Sequence, residues 1–302
     1  MTAIRIGTCS WADEALSKHW YPDGLPAKER LAYYAERFST VEVDSTYYRV
    51  PTDTMVRGWA DRSPDGFVMH IKAFGLMTRH PVKLEQLPPE FRDGMPVDHR
   101  GRVDRPSREA RAAVFRAFLD ALAPLRETGK LGGILFQLPP YVTWKPSALD
   151  YLEWANEQLG GDLMLVEPRH RSWFAEDIRS ELLRWLEERK MAWVVVDAPK
   201  VDAGNVPGTL VAVTSPVAYV RFHGRNAGTW NSRGGSAATR FDYLYGEDEL
   251  REWVPPLRRL SEEAEEAYAF FNNNNQTDGV AQAPAGARLL RKLLDEEGVP
   301  AA

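Results

Sequence analysis

Short runs of apolar, often β-branched residues alternate along this chain with stretches whose apolar positions recur every three or four residues. The first kind suits strands buried on both faces and the second suits amphipathic helices, so their alternation predicts a parallel sheet built from βα units. Eight strands are expected, over 3–8, 40–45, 67–72, 133–138, 162–167, 192–197, 218–223 and 267–272. Helices are expected over 28–38, 54–62, 108–126, 147–159, 175–190, 248–264 and 284–297, with no clear helix after the sixth strand. Eight strands ending on a final helix fit a closed barrel better than an open sheet. The expected fold is therefore α/β: a single (β/α)8 TIM barrel over residues 1–302, with long loops after strands 3 and 7, at 79–107 and 224–246.

The strands break their apolar runs at their C-terminal ends, where barrel enzymes carry their sites. Glu42 and Asp44 stand two apart on strand 2, His70 and Lys72 on strand 3, and Tyr219, Arg221 and His223 on strand 7, each set on one strand face. Gln137 ends strand 4, Glu167 ends strand 5 with Arg169 just beyond, Asp197 ends strand 6, and Asn272 and Asn273 end strand 8. The intervening Val41, Val43, Met69, Ile71, Val166, Val196 and Phe222 are expected to face the helices. Buried charges cost several kcal/mol each unless paired, so a ring of them at one end of a barrel implies a polar pocket.

The expected proton-transfer residues are Lys72, Glu167, Asp197, Glu42 and His70, since mixed signs at close quarters shift pKa values for acid and base work. Arg221, His223, Arg225, Asn226, Asn272, Asn273, Gln137 and Asp44 are expected to bind substrate, with Trp11 or Trp230 covering a ring. Arg225, following Gly224, and the Asn-rich stretch after strand 8 suggest a phosphate cradle, a place barrels often use. Glu42, His70, Glu167, Asp197 and His223 are also the ligand types for Zn2+ or Mn2+, although no metal-binding spacing accompanies them and Lys72 and Arg221 would repel a cation. No phosphate-binding loop, dinucleotide fingerprint or serine-nucleophile elbow is present, so no cofactor is required by motif.

At 302 residues, with 44% hydrophobic and 27% charged positions, the composition is globular, and no apolar run is long enough to span a membrane. The first residues lack the pattern of an export signal and Cys9 is the single cysteine, so a cytoplasmic protein is expected. A net charge of −5 argues against long-range attraction to a polyanion, yet Arg92, Arg100, Arg102, Arg105, Arg108 and Arg111 cluster from the loop after strand 3 into the first turn of the next helix and could grip nucleic acid.

Several stretches resemble the DUF72 or YecE-like family: Ile6-Gly7-Thr8-Cys9-Ser10-Trp11, Trp20-Tyr21-Pro22, Val41 to Tyr48, Thr78-Arg79-His80, Leu135 to Pro140, Tyr219 to Asn226 and Phe271-Asn272-Asn273. They run in order through nearly the whole chain. The resemblance implies a TIM barrel, loosely related to sugar isomerases, and no established reaction. Asp44 stands where the family often has Asn, and Gly286-Ala287 where Asn-Ala is expected. Three functions remain open at this point. The leading one is an isomerase- or lyase-like enzyme acting on a small anionic substrate, a phosphorylated sugar or nucleoside. The others are a metal-assisted phosphodiesterase or nuclease and a non-catalytic binding or interaction module.

Overall fold

All eight expected strands form, each within two residues of its expected bounds. A computed structural model describes residues 1–200, 204, 208–230 and 237–302. Residues 201–203 and 205–207, in the link after the sixth strand, and 231–236, in the long loop after the seventh, lie outside the described residues, so expectations for those two segments reach only part of each.

In chain order the elements are β1 (Ile4–Thr8), α1 (Glu14–His19), α2 (Arg30–Ala35), β2 (Thr40–Val43), α3 (Asp53–Asp61), β3 (Val68–Lys72), α4 (Arg108–Ala121), α5 (Ala123–Glu127), β4 (Leu131–Gln137), α6 (Pro146–Gln158), β5 (Met164–Glu167), α7 (Arg179–Glu188), β6 (Ala192–Asp197), β7 (Val217–Phe222), α8 (Ala227–Trp230), α9 (Ala237–Arg240), α10 (Glu247–Arg251), α11 (Val254–Glu263), β8 (Glu266–Phe271), a hairpin of β9 (Gln276–Thr277) and β10 (Val280–Ala281), and α12 (Gln282–Glu296). Side-chain caps start the helices: Asp13 accepts from the Leu16 amide at 2.8 Å, Thr52 from Met55 at 3.3 Å and Ser107 from Ala110 at 3.0 Å. Each such cap stabilises its helix by about 1 kcal/mol. The single helices expected over 108–126 and 248–264 each divide in two, because Pro124 and Pro255 lack an N–H and can sit only in a helix's first turn.

Parallel ladders join the strands in the order β1-β8-β7-β6-β5-β4-β3-β2. Inside the ring, Leu135, Leu165, Val194, Val196, Tyr219, Tyr268 and Phe270 form one apolar core. Outside it, Val41, Ile71, Phe136, Val166, Trp193, Val220 and Phe271 pack against the helices. Burying apolar surface at roughly 25 cal/mol per Å2 makes these two layers the main source of stability.

The ring closes between β1 and β2 by a side chain. The buried Tyr34 hydroxyl accepts from the Thr8 amide at 2.9 Å and donates to the Thr40 carbonyl at 3.1 Å, satisfying one backbone group on each strand. Gly7 permits this approach, since a Cβ there would lie 2.5 Å from the Thr40 carbonyl oxygen. Lower on the seam, chain residues 300–302 pair with β1: the Ile4 amide donates to Pro300 and the Ile6 amide to Ala302, both at 2.9 Å. Gly286 has a packing reason of its own, for its absent Cβ would fall 2.6 Å from the Phe271 ring, which stacks on Phe222 at 4.7 Å. Among the described residues, no helix is long and apolar enough to cross a membrane.

Candidate functional site

At the C-terminal end of the ring, strand alternation turns Glu42, Lys72, Gln137, Glu167, Arg221 and His223 toward a common axis, as the sequence pattern predicts. Arg221 is the centre of this group and is completely buried. One guanidinium nitrogen, Nη2, reaches Glu42 Oε1 at 2.6 Å, while Nη1 binds Glu167 Oε2. Such a charge-assisted fork fixes both carboxylates in one plane. Tyr219 donates its hydroxyl to the other Glu42 oxygen at 2.8 Å, and Arg221 Nη2 lies 3.6 Å from the Cys9 sulfur.

Glu167 holds a second set of partners. Its Oε1 receives Gln137 Nε2 at 3.0 Å, lies 2.6 Å from Arg169 Nε and 3.1 Å from His223 Nε2. On the far side of the imidazole, Asn272 Nδ2 stands 2.8 Å from Nδ1. Nε2 also lies 3.2 Å from Arg169 Nη2 and 3.4 Å from Arg221 Nη1, so the imidazole is enclosed by an amide, two guanidinium groups and a carboxylate. Burial, and after it the Arg169 charge, hold His223 well below the ordinary histidine range, so the ring is neutral. It stacks on Phe241 at 5.2 Å, and Trp230 covers Arg169 with the guanidinium carbon 5.4 Å from the ring centre.

The two buried glutamates are driven apart electrostatically. Burial raises Glu42 to about 7; Arg221 opposes the shift, and the neighbouring Asp44 adds to it. Burial also pushes Glu167 upward, but Arg169, Arg221 and His223 together outweigh it and hold that carboxyl well below its ordinary value. Near neutral pH one carboxyl can carry a proton while the other remains a carboxylate, the condition that separates acid from base roles in one site.

Above these groups the network reaches solvent. Asp44 is 22% exposed at its side chain and Lys72 12%, with Lys72 Nζ 3.5 Å from Asp44 Oδ1. Lys72 also lies 5.1 Å from the centre of the Tyr47 ring. Three cations, Lys72, Arg169 and Arg221, thus face three carboxyls, Glu42, Asp44 and Glu167. Protonating Glu42 leaves an excess positive charge at the mouth.

Several expected site residues lie elsewhere. Asp197 faces outward from β6 and Val196 inward, the reverse of the expected alternation. Its carboxylate receives Tyr245 OH at 2.6 Å, Trp253 Nε1 at 3.2 Å and Arg225 Nε at 3.0 Å, beneath α10 and α11. Arg225 also pairs with Glu252 at 3.0 Å, so its charge is already matched. The Gly224 amide donates to Tyr245 OH at 2.9 Å, and Asn226 receives the Gly228 amide at 3.1 Å. Asn273 faces the Tyr243 carbonyl at 2.7 Å, and the stretch after Asn275 folds into the β9–β10 hairpin, with Asp278 and Gly279 at its positive-φ turn. The phosphate cradle expected after strands 7 and 8 is therefore closed by the protein's own groups.

His70 lies below the mouth, completely buried between Tyr219, Tyr268 and Phe270 with ring centres 4.9, 4.4 and 5.4 Å away. Burial lowers it to about 3, so it stays neutral. Trp11 packs edge-on against Trp59 of α3 at 5.7 Å. The five expected metal ligands are consequently not gathered: His70 is deep, Asp197 is outside the ring, and Arg221 fills the place between Glu42 and Glu167. Among the described residues, no group of three or more His, Cys, Asp or Glu is placed to hold a metal ion.

Three of the six arginines expected to grip nucleic acid are engaged locally. Arg92 donates to the Leu87 and Glu85 carbonyls at 3.0 Å, Arg102 pairs with Asp98 at 2.7 Å, and Arg108 sits over Trp154 at 5.7 Å. The sequence pattern puts Tyr219 on the correct strand face and Arg169 just beyond β5 without assigning either a role, and it singles out neither Cys9 nor Phe241. Cys9 stands one residue past the end of β1, a position that could have marked it.

A family model described as "Protein of unknown function DUF72" matches residues 5–301. The UPF0759 protein YunF of Bacillus subtilis (strain 168) is 30% identical over 297 residues, covering 97% of this chain and 95% of its own length. A solved DUF72 family protein from Thermotoga maritima MSB8 matches with a TM-score of 0.75 and 28% identity over 97% of this chain and 99% of its own. Another, from Enterococcus faecalis V583, gives a TM-score of 0.78 at 24% identity over 97% and 95%.

Proposed function

The chain belongs to the DUF72 family, and we propose that it is an enzyme that moves a proton on a small anionic substrate, with isomerase- or lyase-like chemistry, at the C-terminal mouth of the barrel. The observation that carries this reading is Glu42: fully buried on β2, two residues before Asp44, which lies just past the strand's end, and raised by burial to about 7. A carboxyl that titrates near neutrality can give and take a proton at comparable cost, which is what general acid–base catalysis requires.

Glu42 itself does not reach solvent, whereas Asp44 does. Glu42 is the carboxyl that holds the proton, and the neighbouring Asp44 is the member of the pair that meets the substrate. Lys72, 3.5 Å from Asp44, stabilises negative charge developing on a substrate oxygen. Glu167 is the fixed anion of the site. Its bonds to Arg169, Arg221 and His223 make it a poor base and a good anchor, holding those donors in place before substrate arrives. An anionic substrate fits because it matches the charge left when Glu42 is protonated, and its binding in turn favours that protonation.

The test is hydrogen exchange from carbon. Phosphorylated and unphosphorylated aldoses and ketoses are incubated with the protein in D2O and followed by proton NMR. Wild type is expected to exchange a carbon-bound proton of at least one phosphorylated sugar. Glu42→Gln and Asp44→Asn should slow that exchange by roughly 10²- to 10⁴-fold. Absence of exchange across the panel, or full activity in both variants, contradicts the reading and favours a binding module.

A further inference from the structure

Between the loops that leave β3 and β4, a cleft of about 330 Å3 opens beside the barrel mouth, lined by Arg79, Arg102, Arg105 and Arg111 together with His80 and Tyr141. Asp98 and Asp104 also border it, but Asp98 is bound by Arg102 at 2.7 Å, and Asp104 lies 3.9 Å from the highly exposed Arg105. Four guanidinium groups against two carboxylates leave a local excess of two positive charges.

Arg79 and Arg111 form no ion pair with a carboxylate among the described residues. Both approach the ring of Tyr151, at 5.2 and 5.5 Å from its centre, and Arg111 also donates Nη1 to the Leu76 carbonyl, which leaves its other guanidinium nitrogens for an anion. Two cations sharing one ring repel each other, and an anion between them relieves that repulsion. The backbone of Arg79 has a φ of 67°, in the left-handed region that non-glycine residues seldom adopt. Its carbonyl accepts the Tyr141 hydroxyl at 2.5 Å, so the loop after β4 holds this conformation in place. Strain maintained next to a cavity is a mark of a functional position.

The cleft adjoins the mouth. His80, in its wall, meets the Tyr47 ring edge-on at 5.1 Å, and Lys72 lies 5.1 Å from the other partner of that contact, the centre of Tyr47. Burial, then the charges of Lys72 and Arg169, lower His80 to about 3, so it adds no charge to the wall.

The geometry points to this cleft as the seat of the substrate's phosphoryl group: Arg79 and Arg111 grip a phosphomonoester dianion, Arg102 and Arg105 close its rim, and the carbon chain passes His80 and Tyr47 toward Lys72 and Asp44. The position of the carbon chain rests on the proton-transfer reading above; the phosphoryl grip does not. Arginine suits this task because its planar fork offers paired donors to phosphate oxygens.

Calorimetric titration of the full-length protein with inorganic phosphate, ribose 5-phosphate and ribose tests the assignment, using wild type and Arg79→Gly. Glycine removes the guanidinium and accepts the positive φ, so the variant should melt no lower than wild type. Wild type is expected to bind both phosphates and to bind ribose much more weakly. Arg79→Gly should weaken phosphate binding roughly 10- to 100-fold, the loss of one or two charged hydrogen bonds. No phosphate binding by wild type, or unchanged binding in a folded Arg79→Gly, overturns the assignment. The exchange assay separates the two claims. Arg79-dependent phosphate binding without any carbon exchange upholds the phosphoryl grip and ends the proton-transfer reading. Exchange that is equal for phosphorylated and unphosphorylated sugars, and unchanged in Arg79→Gly, does the reverse.

Discussion

Glu42 on β2 and Glu167 on β5 hold the two terminal nitrogens of one guanidinium, that of Arg221, across the interior of the barrel. The shared cation does not make them equivalent. Glu42 has Arg221 and a tyrosine hydroxyl to offset its burial, and Asp44 close by to oppose ionisation. Glu167 has two arginines, a histidine and an amide. The difference in donors is what leaves a proton on one side of Arg221 and a charge on the other.

Stability should report this asymmetry through pH. The Glu42 carboxyl is raised from an ordinary 4.5 to about 7, so its protonated form favours the native state. That contribution is complete below about pH 4.5 and is lost as pH rises through 7. Glu167 is lowered, so its contribution is present above pH 4.5 and is lost as pH falls through its depressed value. Melting temperatures measured from pH 3 to 9 should therefore fall at both ends for wild type, and Glu42→Gln should flatten the alkaline fall alone.

Arg221→Met should be among the most damaging single changes in the chain. It leaves two completely buried carboxyls without their common cation, a loss of about 3–5 kcal/mol. Arg221→Lys should recover only part of this, because a single ammonium cannot serve both carboxyls in the fork geometry. Denaturant unfolding of both variants measures the difference.

Asp197→Asn should lower stability by about 1–3 kcal/mol by weakening its bonds to Arg225, Tyr245 and Trp253, while leaving carbon exchange at the mouth near the wild-type rate. A large loss of exchange in a folded Asp197→Asn would return that residue to the site.

At the seam, Tyr34→Phe removes the hydroxyl that joins Thr8 to Thr40 and leaves a buried N–H and C=O unpaired. The expected cost is about 2–4 kcal/mol, and amide exchange at Thr8 should quicken more than at the laddered amides of β7.

The strands were legible because parallel-barrel strands are buried on both faces and stand out as apolar runs between helical stretches. The site was legible where a polar residue interrupts such a run with clear alternation, as Glu42 does between Val41 and Val43, or Arg221 between Val220 and Phe222. It was not legible on β6. There Ala192 to Val196 is apolar on both faces, so nothing in the pattern says which side Asp197 takes, and the choice is made by Tyr245, Trp253 and Arg225 from distant segments. The same limit applies to Arg225 and Asn226, whose partners are set by how the long loop folds back. His70 followed the correct alternation, but depth along the barrel axis is not written in a period of two. The division of 108–126 and 248–264 was readable in Pro124 and Pro255, whereas the short helices α1, α8 and α9 have too few turns to produce a periodic signal.

The most direct test is the protonation of Glu42 and Glu167 themselves. With glutamate side-chain carboxyls labelled with 13C and the two signals assigned through Glu42→Gln and Glu167→Gln, an NMR titration follows each carboxyl separately. Glu42 is expected to titrate near pH 7, moving when Asp44 is replaced by Asn, while Glu167 stays ionised to well below pH 4.5. Glu42 fully ionised at pH 5, or the two carboxyls titrating together, would contradict it.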